Sequence, residues 1–226
     1  DTNEKVFAAD TDTYTIQITY AAAPSFNDVC KIEDADPVSG WYNATYPATI
    51  TPLDATTYTI ALDEVHWNSF GDSVTIEDQG TEIHYVYLKN KNTKQISAAI
   101  AVNVKVDTVK PAANRIKVEY AKSAMDEFLE VITLGFYKPS VTVRFTAYDA
   151  TSGIDYFTWN YTKENGASTI NHSASVTNQK VDAVPDALDS TKFTGEFTIT
   201  ADEYNQYRGY LSVTATDNAN NTSDVK

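Results

Sequence analysis

Apolar and polar residues alternate with a period of two along most of the chain. Tyr14, Ile16, Ile18 and Tyr20 alternate with Thr15, Gln17 and Thr19, and Ala98, Ile100, Val102, Val104 and Val106 alternate with Ala99, Ala101, Asn103 and Lys105. Val141, Val143, Phe145 and Ala147 form a third such run, and Leu211, Val213 and Ala215 a fourth. Successive side chains of a strand point to opposite faces, so each run predicts a strand with one face in a core and one in water. Turn-forming residues fall between the runs, at Pro37-Val38-Ser39-Gly40, Phe70-Gly71-Asp72, Asp78-Gln79-Gly80, Ser152-Gly153 and Asn165-Gly166. Short strands with regular turns and no βαβ rhythm predict antiparallel sandwiches. The fold class expected is all-β: tandem immunoglobulin-like β-sandwiches of Greek-key type. One short helix is expected near 123–132, where Ser123 can cap and Asp126 and Glu127 lie at the positive end.

Proline divides the chain. The run Val104-Lys105-Val106-Asp107-Thr108-Val109-Lys110 stops at Pro111, and a new strand pattern opens at Arg115-Ile116-Lys117-Val118. Ala21-Ala22-Ala23-Pro24 makes a similar break earlier. A fixed φ and a restricted preceding residue make each a stiff seam. The expected division is a leading strand or linker at 1–22, one module at 23–110, and a second at 111–226 with a long insert near 164–192. Roughly 100 residues is the usual size of an immunoglobulin-like domain. The sequence opens at Asp1 close to a strand pattern and ends without an anchor, which fits a segment of a longer chain.

Composition narrows the function classes. The 226 residues carry 31 acids against 17 bases, a formal net charge of −14, and nucleic acid needs a basic surface. A single cysteine, Cys30, excludes an internal disulfide, and Val29-Cys30-Lys31-Ile32 reads as a strand with a buried thiol. No apolar stretch approaches the ~20 residues of a membrane span, so membrane insertion is not expected.

Several segments resemble bacterial immunoglobulin-like repeats in surface proteins of Gram-positive bacteria. The run Ala215-Thr216-Asp217-Asn218-Ala219-Asn220-Asn221-Thr222-Ser223 resembles their final hairpin, and Gly40-Trp41-Tyr42-Asn43 is similar to the opening of a second repeat type. Gly135 to Val143, the loop Asp149-Ala150-Thr151-Ser152-Gly153-Ile154, and the Lys-Val-Asp-Thr-x-x-Pro linker at 105–111 resemble other parts of such repeats. The insert near 164–192 departs from the minimal pattern. The resemblance implies a cell-wall or secreted protein of stalk or adhesin type, sometimes appended to a glycan-acting enzyme. Its implied partners are neighbouring modules of the same chain and a host or cell-surface protein or glycan.

No catalytic constellation stands out, and the chain is expected not to be an enzyme. His66, His84 and His172 are scattered, His84 being expected to face solvent, and nucleophile-elbow, zincin and phosphate-loop motifs are absent. Carboxylate pairs carry no specificity among 31 acids. The sharpest chemical expectation is a calcium site. Asp107 in the linker, Asp149 and Asp155 around the Ser152-Gly153 turn, and Asp217, Asn218 and Asn221 in the last hairpin are hard oxygen donors that could converge. The competing explanation is that Asp and Asn stand there because they form turns, and the lack of EF-hand spacing weighs in its favour. A Lys–Asn isopeptide bond would draw on Lys31 or Lys117 with Asn103 or Asn218. A glycan contact would draw on Trp41 and Trp67, which flank turns, whereas Trp159 alternates like a core residue. Glycan binding by an accessory domain of a glycan-degrading enzyme is the alternative to a spacer or adhesion module.

Overall fold

The computed structural model describes residues 23–33, 37, 39–62, 69–121, 140–163, 175–200 and 209–226. The chain is all-β, with antiparallel sheets packed as sandwiches. The expected helix near 123–132, the leading segment 1–22, and Trp67, His66 and His172 lie outside the described residues.

On the N-terminal side of Pro111, β1 (Cys30–Ile32), β3 (Ala48–Pro52) and β5 (Val74–Ile76) form one antiparallel sheet in the order β1-β3-β5. The facing sheet holds β4 (Tyr58–Ala61), β6 (Ile83–Asn90) and β7 (Ile100–Asn103) in the order β4-β6-β7. The short β2 (Trp41–Tyr42) pairs in parallel with β8 (Lys105–Val106) and closes one side. The alternation in the sequence accounts for the core: Ile100, Val102, Val104 and Val106 all point inward and meet Ile50, Ile60, Val86 and Leu88. Cys30 is buried there, and desolvation pushes its thiol pKa up to about 11, so it stays protonated and inert.

Beyond Pro111 a second core repeats the plan. One sheet runs β13-β14-β10-β9, from β13 (Val184–Pro185), β14 (Lys192–Thr200), β10 (Ser140–Tyr148) and β9 (Lys117–Ala121). The other runs β12-β11-β15, from β12 (Val176–Asp182), β11 (Ile154–Lys163) and β15 (Gly209–Asp217). Val143, Phe145 and Ala147 of β10 pack on Phe157 of β11 and on Val213 and Ala215 of β15. Trp159 is half-buried and stacks on Phe197 with ring centroids 4.0 Å apart. The two apolar clusters share no residue.

The insert expected near 164–192 is more regular than a loop. Its described part contributes β12, an edge strand on β11, and β13, which pairs with β14. His84 departs from its expected solvent exposure: its side chain is 12% exposed, Nδ1 lies 3.9 Å from the Asp78 carboxylate, and Nε2 is buried without a hydrogen-bond partner.

Gly195 sits where β14 crosses the second core. A Cβ added there would lie 2.7 Å from Cδ2 of Phe157 and 3.0 Å from Cγ1 of Val181. Phe157 is fully buried and has no room to retreat. Gly195→Ala is therefore expected to cost ~1–3 kcal/mol by overpacking. Urea unfolding checks this, and an unchanged midpoint would show that the ring can move.

Candidate metal centre at the module junction

The end of β8 delivers Asp107 into the junction between the two cores. Val106 is the last inward-facing apolar residue of the strand, and Asp107 follows it with no solvent exposure. Its backbone N–H donates to the Tyr42 carbonyl at 2.9 Å, which ties it to β2. Two connections of the second module meet it there. The β10–β11 turn brings Asp149, and the turn after β15 brings Asp217, itself 1% exposed.

Carboxylate oxygens of Asp107, Asp149 and Asp217 all lie within 4.8 Å of one another. They form the group of metal-ligating side chains found among the described residues. Backbone and amide donors orient each one. Asp107 accepts from the Val109 N–H at 3.0 Å through Oδ1 and from the Ser152 N–H at 3.1 Å through Oδ2. Asp149 Oδ1 accepts the N–H groups of Thr151, Ser152 and Gly153 at 2.8, 3.0 and 3.0 Å. Gly153 closes this turn at φ +78°, a left-handed backbone suited to glycine, beside the Phe193 ring. Asp217 accepts from the Asn221 N–H at 2.8 Å and from Asn221 Nδ2 at 2.9 Å.

Burial raises the pKa of Asp217 to about 6, with the neighbouring charges of Asp107 and Asp149 adding to it. Asp107 is raised too, chiefly by burial, against the lowering effect of Ser152 and Val109. Among the described residues none of the three carboxylates forms an ion pair with Lys, Arg or His. A buried anion without a counter-charge costs several kcal/mol. Calcium binds oxygen ligands at about 2.3–2.6 Å, so two ligands of one ion stand no more than about 4.6–5.2 Å apart. The three carboxylates satisfy that bound, and hard anionic oxygens are the donor type calcium and magnesium prefer. Asp107, Asp149 and Asp217 would hold such an ion, which would supply the counter-charge.

Other contacts fix the junction around this centre. Asn43, 4% exposed, donates from Nδ2 to the Ala219 carbonyl at 2.5 Å, while its Oδ1 accepts the N–H groups of Thr45 and Tyr46. Asn221 Nδ2 also donates to the Asp107 carbonyl at 2.9 Å. Lys110 pairs with Asp224 at 2.6 Å on the exposed side. Asn43 stood out in the sequence through the Gly40-Trp41-Tyr42-Asn43 segment that resembles a repeat opening; nothing local marks it as a partner for a carbonyl 176 positions away.

The remaining expected site residues fall elsewhere. Asp155 is exposed, and its carbonyl accepts the Ala183 N–H rather than joining the cluster. Asn218 stands beside the centre, but its Nδ2 donates to the Ser152 and Gly153 carbonyls at 2.8 and 3.3 Å, so it braces the turn. Trp41, expected exposed for glycan stacking, is buried, with the Lys105 ammonium 5.8 Å from its ring centroid. In register Trp41 pairs with Lys105, while Tyr42 beside it pairs with Val106 in the core, so the indole stands on the face of β2 away from that core and is nonetheless covered. Lys31 pairs with Glu33 at 3.5 Å on the surface. Neither the models of known protein families nor the curated proteins contain a match to this chain.

The raised carboxylates set a pH dependence. Between an ordinary carboxylate value of about 3.9 and about 6, the folded chain holds more protons than the unfolded one. Stability from Asp217 is therefore present at low pH, falls as pH rises through that window, and levels off above it. At ~1.4 kcal/mol per pKa unit the loss is on the order of 2–3 kcal/mol. In EDTA, the stability gained by Asp217→Asn over the wild type is expected to be larger at pH 7 than at pH 4.5. An advantage independent of pH would remove the buried-anion account.

Proposed function

We propose that this chain is a non-catalytic extracellular segment of a bacterial surface protein, a rigid spacer or adhesion module whose two sandwiches are locked at their junction by calcium. The observation that carries this reading is the meeting of Asp107 from the linker with Asp149 and Asp217 from two loops of the following module. Each carboxylate is already held by amide donors, so a cation enters a preformed set of ligands at little reorganisation cost. Extracellular calcium is abundant enough for sites of modest affinity to fill, and extracellular modules use such sites. The resemblance of the linker and the last hairpin to bacterial surface repeats points to the same setting.

A spacer needs a joint that does not bend freely. Inter-domain interfaces within a chain are small and mobile by default. Here the linker proline, the Asn43–Ala219 and Asn221–Asp107 bonds and the shared ligand set oppose that freedom. Recognition of a protein or glycan partner is assigned to the insert, where Val184 and Leu188 stand 59% and 97% exposed on the arm between β12 and β14. Among the described residues no helix is long and apolar enough to cross a membrane.

Calcium at ~100 times its Kd is expected to stabilise the chain by ~2.7 kcal/mol. For a protein of this size that is roughly 5–10 °C in melting temperature. Asp107→Asn is expected to lose most of that response while keeping the fold. Small-angle scattering should give a narrower spread of inter-module distances in calcium than in EDTA. A melting temperature and scattering profile that ignore both calcium and EDTA would sink the reading.

A further inference from the structure

The two modules share the centre of one strand order, β1-β3-β5 matching β9-β10-β14 and β4-β6 matching β11-β15, so each has an end built from the same two connections. In the second module these are the β10–β11 turn and the turn after β15, which carry the junction carboxylates. In the first they are the β3–β4 turn and the turn after β6. The strand pairing next to these turns is alike, Tyr58 with Asn90 and Ile154 with Asp217, although β11 carries a bulge after Ile154 that β4 lacks. The next residue then bonds back in the same way, Lys91 N–H to the Thr57 carbonyl at 2.8 Å and Asn218 N–H to the Gly153 carbonyl at 3.0 Å. Each turn also has an aspartate accepting its own amides, Asp54 in the first module and Asp149 in the second.

The side chains differ at the two positions that matter. Asn90 stands where Asp217 stands, and Lys91 stands where Asn218 stands. Position by position, 0 and +1 replace −1 and 0, a difference of two charges. The Lys91 ammonium reaches across to the other connection and donates to the Ala55 carbonyl at 2.6 Å, with Asp72 at 3.4 Å. The linker acid is also missing: Asp107 precedes Pro111 by four residues, and the residue four before Pro24 is Tyr20.

We infer that Lys91 is a built-in cation that holds together, in the first module, the two connections that a metal ion holds at the junction. Cation dependence is thereby confined to the joint between the modules, and the opposite end of the first module is closed without metal. The inference about metal rests on the calcium reading above; the ammonium clamp rests only on the geometry of Lys91. Asp54 fits this division. Its carboxyl is held at about 2 by the Thr56 and Thr57 donors, so it stays ionised without needing a metal ion.

Calorimetric titration of the whole chain with calcium is expected to give one ion for the wild type and none for Asp217→Asn. Amide hydrogen exchange in the full chain reads the clamp. Lys91→Met is expected to speed exchange several-fold at the Thr57–Ile60 and Leu88–Lys91 segments, by the same factor in calcium and in EDTA, with calcium stoichiometry unchanged. Lys91→Arg is expected to retain protection, because a charge and donors remain. Two ions per wild-type chain, unaltered exchange in Lys91→Met, or calcium restoring protection to Lys91→Met would each overturn the inference. A wild type that binds no calcium while Lys91→Met still loosens the first module would sink the calcium reading and leave the clamp standing.

Discussion

Everything at the junction follows from the burial of two carboxylates, Asp107 and Asp217, beside a third, Asp149. Burying one anion is costly, and like charges within 4.8 Å of one another add to the cost. The fold meets that cost with donors from both modules. Ser152 of the second module donates to the Asp107 carboxylate of the linker, and Asn221 donates to the Asp217 carboxylate and to the Asp107 backbone carbonyl. Because the Ser152 and Asn221 bonds to Asp107 cross Pro111, satisfying Asp107 in full means docking the modules. The seam is therefore directional: hydrogen bonds and charge fix its angle, where an apolar patch would allow sliding.

Much of the fold was legible because a strand repeats every two residues. Ile100, Val102, Val104 and Val106 alternate in the sequence and are buried in the structure for the same reason, as are Val143, Phe145 and Ala147. Turn residues marked the places where strands end. The junction was half legible. Asp107, Asp149 and Asp217 were singled out as hard donors near a proline seam, and the structure brings those three together. Asp155 shares their composition but lies beyond the turn, on the exposed side of β11, and the sequence holds nothing that separates it from Asp149.

What escaped sequence reading depends on contacts between distant segments. Trp41 flanks a turn and looked exposed, yet its indole is covered although its strand partner is Lys105 rather than a core residue. His84 sits at an alternating position that suggested solvent, but its side chain is mostly covered. Asn43 was noted only within the segment that resembles a repeat opening, and it spans the seam to Ala219. For Trp41 and Asn43 the neighbour, Lys105 or Ala219, lies tens to more than a hundred positions away, and local period and turn chemistry carry no information about it.

Under the proposed calcium reading, little sequence separates a metal-dependent end from a self-sufficient one. The backbone bonds that shape the two ends are the same, Lys91 to Thr57 and Asn218 to Gly153. Their charge balance differs at two adjacent positions. An ammonium on a flexible stem brings its own positive charge and needs nothing from solution, but it reaches one carbonyl and one exposed carboxylate. A cluster of carboxylates is unfavourable alone and strong with a cation, because the ion draws on all three at once. The first arrangement gives a constant closure and the second a conditional one. Under the proposed calcium reading, placing the conditional arrangement between modules, where the linker can contribute a ligand, would tie the stiffness of the joint to cation concentration while leaving each core independent of it.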